Sequence, residues 1–552
     1  MPTVSEISSR YVDEIAAHDP VRGERWGVPS DGTRLTDYSP AGYAELAEIL
    51  RRTHRDLEAA VPQDEWERLG QGFLLDWTAG ELGVIEAGER ERSLSNIVGA
   101  PASTRSVFDL MDRSTPEAWE TIAARLAAVP AAMAGYRESL EAGLAHARPA
   151  ARRQAIVVAD QCATWAGDGS DGGWFGTFVA DYGDGPLRPR LDTAARTAAG
   201  AFGELSSWLR GTYAALATEA DGSGEERYAV WAEYLLGTTL DLDEAYAWAW
   251  DELGRLEAEK DAECELILPG TSFDAVRELL ITDPDRSIHG VDAYRSWLQY
   301  VTDEAISGLR GRQFDIPASI ARCEVHIPPE GSAAAPYYTS PSEDLSRPGR
   351  TWFPTIGRER FPTWDDVSTV YHEAVPGHHL QHAMSMLVPL TRAQKLGFIS
   401  AHGEGWALYA ERLMDELGWF RTPETRLGFL CAHAFRAARI VVDIGLHTGR
   451  RIPAGHDGAG EAWTYERAID FIIRASGMDR DKSESEVLRY LSWPSQATAY
   501  KLGERTWLAG REAARSAATS SGRPFDLKAW HARSLALGPL GLRRLGVELA
   551  KV

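Results

Sequence analysis

The sequence predicts a mainly α protein, a large multi-helical chain with a small antiparallel β-sheet beside the helix that carries its densest run of histidines. Three observations predict it. Apolar residues recur at three- and four-residue spacing through the first 310 residues. After about residue 312 the texture breaks into two short strand-like runs around an irregular segment. Helical periodicity then resumes from Trp364 to the C-terminus.

Taken in order, Tyr43-Ala-Glu-Leu-Ala-Glu-Ile-Leu50, the stretch from Trp119 to Leu140 and the stretch from Leu191 to Leu216 each read as amphipathic helices. Ser114-Thr-Pro-Glu117 reads as a capping box with proline in the first turn. Ala245 to Leu266 is a further long helix, and Tyr246, Trp248 and Trp250 near its start are expected to pack between helices. Arg322-Cys-Glu-Val-His-Ile327 and Arg350-Thr-Trp-Phe353 read as short strands. Pro328 to Gly349 between them, rich in Pro, Gly and Ser, reads as a functional loop or hairpin arm. The change of texture divides the chain into a helical half, 1–311, and a half carrying the sheet and the histidines, 312–552. No fixed-period repeat suggests a solenoid.

Composition excludes several partners. A net charge of −23 disfavours nucleic acid and anionic membrane surfaces, which reward stripes of Lys and Arg. Only six residues are Lys, so Lys501, next to Tyr500, stands out. Cys162, Cys264, Cys323 and Cys431 are far apart and form no CxxC pair, which fits a reducing compartment. Neither a signal peptide nor an apolar run of membrane-spanning length is visible, and together these features predict a cytoplasmic protein without a membrane partner.

Seven of the 14 histidines lie between residues 372 and 447, densest in Tyr371-His-Glu-Ala-Val-Pro-Gly-His-His-Leu-Gln-His382. Asp365 and Asp366 precede this run, where a helix N-terminus favours negative charge. His372-Glu373 is similar to the start of HExxH, in which histidines at i and i+4 share a helix face with a glutamate as base. Here the spacing is longer. On a straight helix the i+6 residue, His378, points about 120° away from His372, and the i+7 residue, His379, lies about 10.5 Å further along the axis. Neither shares one ion with His372 unless the helix is distorted. Pro376, which lacks an N–H for the His372 carbonyl, and Gly377 supply that distortion, so His378 is expected to drop into the i+4 place. Glu404, in His402-Gly-Glu-Gly-Trp-Ala-Leu-Tyr-Ala-Glu411, is the expected third ligand, with Glu411 one heptad later as the fallback. Two His and one Glu leave a fourth position for water, the pattern of catalytic zinc. His379 stands as a partner that supports a ligand, a substrate contact or a packed residue, and His382 and His402 read as packed.

These motifs resemble those of a large bacterial family of unknown function, some of whose members carry lipoprotein or metallopeptidase labels. The resemblance rests on His-Glu-x-x-Pro-Gly-His-His-Leu-Gln and Glu-Gly-Trp-Ala-Leu-Tyr-Ala-Glu. Asp344-Leu-Ser-Arg-Pro-Gly349, Val442-Asp-Ile-Gly-Leu-His447 and Tyr490-Leu-Ser-Trp-Pro-Ser-Gln-Ala-Thr-Ala-Tyr-Lys-Leu-Gly503 extend it. The family is in turn distantly similar to helical zinc peptidases of the thimet oligopeptidase and carboxypeptidase Taq type. The resemblance implies a deep cleft between two helical halves, one zinc ion on His372, His378 and Glu404, and Glu373 as the base. The extra Val-Pro pair before Gly377 departs from the peptidase pattern and leaves His378 and His379 as competing ligands. Lipoprotein members carry a lipid signal that is not seen here, which adds to the cytoplasmic expectation.

The expected activity is hydrolysis of amide bonds in small peptides, with Glu373 taking a proton from a zinc-activated water. His447, Tyr490 and Tyr500 are candidate donors to the oxyanion. Asp443, four residues before His447, would fix its tautomer or make only a helix-surface contact. Arg347 and Lys501 are candidates for holding a substrate carboxylate. An amidase or deacylase acting on a non-peptide metabolite would use the same residues, whereas a silent binding protein would have no need of Glu373.

Overall fold

Helices begin wherever the sequence provides a cap. Thr3, Ser39, Asp64, Asp241, Thr422 and Thr464 each accept a backbone N–H from the first turn that follows them. The structure is a computed structural model that describes residues 2–167, 172–328, 335–342 and 345–552. It is 68% helix and 4% strand, as the periodicity predicts. Asp344, in the Asp-Leu-Ser-Arg-Pro-Gly motif, and residues 329–334 and 343 of the Pro328–Gly349 loop lie outside the described residues.

Two elements differ in detail from the sequence reading. The run from Trp119 to Leu140 is two helices, Pro116–Ala127 and Val129–Ala145, because Pro130 opens a new first turn. The cap before Pro116 is Thr115, which accepts from Ala118 N at 3.1 Å, rather than Ser114. Tyr246 and Trp250 are buried in the main core as expected, with Trp248 packed against it.

The small sheet joins β2 (Cys323–His326), β4 (Gly349–Trp352) and β3 (Tyr337–Thr339) in the order β2-β4-β3. Its β3–β4 pair is antiparallel, pairing Tyr338 with Thr351, and β2 runs parallel to β4, pairing Val325 with Thr351. A separate antiparallel ribbon pairs β1 (Ser287–His289) with β5 (Arg360–Pro362) just before the histidine-bearing helix.

One hydrophobic core gathers residues from Val4 to Leu74 and from Tyr228 to Leu549, and so crosses the change of texture at 311/312. A second lies between Val21 and Ala214. The main core fixes the helices that matter for the site. Ser400–Glu416 crosses Ala499–Ser520 so closely that a Cβ on Gly405 would lie 2.5 Å from Gly503 Cα, which only glycine permits. Glu404 and Tyr500 flank that crossing. Pro423–Thr448, buried along most of its length, packs against both Leu242–Ile267 and Asp366–Glu373.

Candidate metal centre

The helix Asp366–Glu373 ends immediately after His372-Glu373, and a new helix, His378–Met386, starts at His378. Between them Ala374 (φ −96°, ψ −112°) and Gly377 (φ −74°, ψ −130°) leave helical geometry, and the Val375–Pro376 peptide bond is cis. The distortion is therefore an interruption, larger than the two-residue bulge expected. Gly377 N donates to Tyr371 O and His379 N to Ala374 O, each at 3.0 Å, so the break keeps its backbone paired. Gly377 is required for space: a Cβ there would lie 1.9 Å from the His372 carbonyl oxygen. Trp406 Nε1 donates to Pro376 O at 2.9 Å and ties the break to the Glu404 helix.

This interruption turns the two imidazoles toward one carboxylate. The rings of His372 and His378 have centroids 4.8 Å apart and are inclined at 86°. Their Nε2 atoms lie 3.3 Å and 3.6 Å from Glu404 Oε2. One ligand atom from each of His372, His378 and Glu404 falls within 4.8 Å of the others. Glu404 Oε2 is buried and makes no hydrogen bond, and neither does His378 Nδ1. A buried carboxylate oxygen without a donor costs free energy unless a cation meets it. The donor set of two imidazoles and a carboxylate is that of a catalytic zinc site, so these residues fit the ion.

Glu411 is not a ligand in this arrangement. Its Oε1 lies 2.7 Å from His372 Nδ1, and its other oxygen accepts from Ser368 Oγ. That fixes Nδ1 as the protonated nitrogen of His372 and leaves Nε2 free for a metal. His433 Nε2 stands 3.6 Å from Glu411 Oε2, and His433 Nδ1 is 3.4 Å from Lys501 Nζ.

Electrostatics favour a cation at the same point. Burial would depress the His372 imidazole, but Glu404 and Glu411 outweigh it and raise its pKa to about 9. Burial would raise Glu404 and Glu411, yet contacts with charged neighbours hold both below the usual carboxylate range. Glu373 goes the other way: burial raises its pKa, against the opposing influence of the two histidines. Three carboxylates close to two imidazoles leave an excess of negative charge, of which a proton would offset one unit and a divalent ion two.

The other predicted residues divide sharply. His379 donates from Nε2 to Ile320 O at 2.9 Å and accepts at Nδ1 from Tyr338 Oη at 3.1 Å, so it clamps the helix to the sheet and has no free nitrogen for a metal or substrate. His447 accepts from Ser223 N (3.1 Å) and donates to Tyr490 O (3.0 Å), which leaves no donor for an oxyanion. Its expected partner Asp443 bonds instead to Tyr228 Oη (2.6 Å) and Ser495 N (3.0 Å). The Tyr490 hydroxyl is taken by Glu486 (2.8 Å) and Arg439 (3.2 Å). Lys501, 1% exposed, is held by Glu252 at 2.8 Å and by Glu504. Arg347 donates to Ser340 O (2.8 Å) and Pro348 O (3.4 Å) and braces its own loop. Tyr500 is the exception. Its ring lies against the guanidiniums of Arg439 (4.7 Å) and Arg436 (6.0 Å).

The protein is thus mainly helical and brings His372, His378 and Glu404 together as a group that could hold a metal ion. Its sequence matches the profile described as "Bacterial protein of unknown function (DUF885)" over residues 20–549, and the chain belongs to that family. It is similar to the solved structure of a "putative lipoprotein" from Colwellia psychrerythraea, with 20% identity, 100% of this chain and 99% of that one covered, and a TM-score of 0.84. A "putative lipoprotein of unknown function" from Shewanella oneidensis matches at 18% identity over 99% of both chains, with a TM-score of 0.76. No curated protein matches the sequence. The cytoplasmic expectation is corrected by these comparisons, because the two solved structures named here are described as "putative lipoprotein". Four free buried cysteines and the lack, among the described residues, of a helix long and apolar enough to cross a membrane do not define a compartment.

Proposed function

We propose that the protein is a zinc-dependent hydrolase that cleaves amide bonds in small peptides. The observation that carries this reading is the orphaned Glu404 Oε2 between the Nε2 atoms of His372 and His378, with Glu373 next in sequence to His372. When bound, a zinc ion would supply Lewis acidity and lower the pKa of water toward neutrality.

The chain's own residues supply the rest. Burial raises the pKa of the Glu373 carboxyl, the direction that suits a group taking a proton from water and returning it to a leaving amine. Glu411 and Ser368 hold the His372 ring, so the ligand atom is positioned before substrate arrives. Tyr500 is the remaining candidate donor to the carbonyl oxygen, since the Tyr490 and His447 donors are spent.

Purified protein assayed for zinc and turned over against a peptide library tests the reading. Glu373→Gln should retain zinc and lose on the order of 10²-fold or more in kcat. Unchanged hydrolysis in that variant would remove Glu373 from the role, and a wild-type protein that takes up no zinc would remove the hydrolase.

A further inference from the structure

A row of aromatic rings leads away from the triad. His378 stands one helical turn before His382 on the helix His378–Met386, and their ring centroids are 6.1 Å apart. His382, read from the sequence as packed, is only half-buried, and among the described residues neither of its nitrogens makes a hydrogen bond or ion pair. Its ring lies nearly parallel to that of Phe398, inclined at 13° with centroids 5.9 Å apart, and 5.7 Å from that of Tyr338. Tyr338 is itself pinned by the hydrogen bond from its hydroxyl to His379 Nδ1.

Phe398 is tied to the triad a second time. It sits in the connection between the helices Arg392–Leu396 and Ser400–Glu416 and rests on Gly403, the residue before Glu404. A Cβ on Gly403 would lie 2.3 Å from the edge of the Phe398 ring, so the absence of a side chain there is what lets the ring come this close. Phe398 is nevertheless 41% exposed. A single exposed apolar residue needs no explanation. This one is exposed while joined through His382 to His378 and through Gly403 to Glu404, two of the three residues that converge on the candidate ion. Aromatic walls with a few polar groups are what recognise apolar side chains, because an incoming ring gains burial together with an offset or edge-on contact.

We propose that Phe398 and His382 form the subsite for an aromatic side chain adjoining the scissile bond, making the preferred substrates short peptides with Phe or Tyr beside the amide that is cleaved. This rests on the triad being a hydrolytic centre, but it is tested by binding alone. Titrate Glu373→Gln protein, incubated with zinc, with trialanine and with three tripeptides that carry Phe at each position of trialanine in turn, and repeat with the Phe398→Ala and Phe398→Leu changes added. The best Phe peptide should bind at least ~10-fold more tightly than trialanine. Phe398→Ala should bring the two affinities together by weakening the Phe peptide, and Phe398→Leu, which keeps apolar bulk without a ring, should retain part of the difference. A purely structural role for Phe398 would weaken all four peptides alike. If circular dichroism shows that Phe398→Ala does not fold, the partial loss in Phe398→Leu decides. Equal binding of all four peptides, no binding of any at millimolar concentration, a preference that persists undiminished in the folded variants, or equal weakening of all four would overturn the proposal. Because no turnover is needed, an aromatic preference in a protein that hydrolyses nothing, or hydrolysis without that preference, would separate this inference from the proposed activity.

Discussion

His372 Nδ1 and Glu411 Oε1, from residues 39 positions apart in sequence, lie 2.7 Å apart inside the protein and join two helices. The contact decides which imidazole nitrogen is free. In the proposed centre Glu411, spaced one heptad from Glu404, would therefore orient His372 rather than bind the ion. Glu411→Gln, which keeps the shape and removes the charge, should weaken zinc affinity by about 10- to 100-fold while the fold persists. Competition with a calibrated chelator measures it.

Gly377→Ala tests the interruption itself. A Cβ at this position would lie 1.9 Å from the His372 carbonyl oxygen. Relieving that clash requires the break to move, with an expected loss of about 1–3 kcal/mol in stability and a parallel loss of zinc. Chemical denaturation together with metal analysis would detect both, and an unaffected zinc isotherm would show that the ligands do not depend on this backbone.

Lys501→Ala should act on stability. It removes a buried cation shared by Glu252 and Glu504, and because Arg412 still reaches both, at 3.8 Å and 3.4 Å, the loss should stay below the about 3–5 kcal/mol of a wholly unpaired buried charge. Tyr500→Phe should instead lower kcat with little change in the unfolding midpoint, and Tyr490→Phe should do the reverse, because its hydroxyl serves Glu486 and Arg439. Steady-state kinetics and thermal melts on the three variants separate these outcomes.

Stability should fall steeply in acid. Burial holds His379, His433 and His447 at about 4 and His382, His402 and His531 at about 3. Their folded pKa values lie below the unfolded value of about 6.5. The stability tied to keeping them neutral is present above that pH and is lost as pH falls toward 4 and 3, each group adding up to about 1.4 kcal/mol per pH unit. His372 has the opposite sign. Raised to about 9 without metal, it stabilises the fold below pH about 6.5 and loses that contribution as pH rises through 9. Denaturation midpoints from pH 4 to 9.5 in chelator, repeated with zinc, should show the acid loss in both series. The alkaline loss should appear in chelator only, since a metal ion replaces the proton.

The sequence made the centre legible because its spacing was wrong for a straight helix and Pro376-Gly377 explained how that could be overcome. The choice between His378 and His379 was not legible, because Ile320 O and Tyr338 Oη, which occupy His379, come from other parts of the chain. His447 looked available for the same reason, its partner Ser223 being distant in sequence, whereas Lys501 and Tyr490 have one distant partner each, Glu252 and Arg439, and one local one, Glu504 and Glu486, that the spacing did offer. His433, which stands 3.6 Å from Glu411, gave no signal, being one position in a long amphipathic helix. Helices were legible from periodicity, whereas β1 and β5 have three residues each and partners more than 70 positions apart, too little pattern to read.

Anomalous diffraction at the zinc edge, from crystals grown with zinc, tests the central claim most directly. The account predicts one strong peak bounded by His372 Nε2, His378 Nε2 and the Glu404 carboxylate. A peak elsewhere, or none between those three side chains, would contradict it.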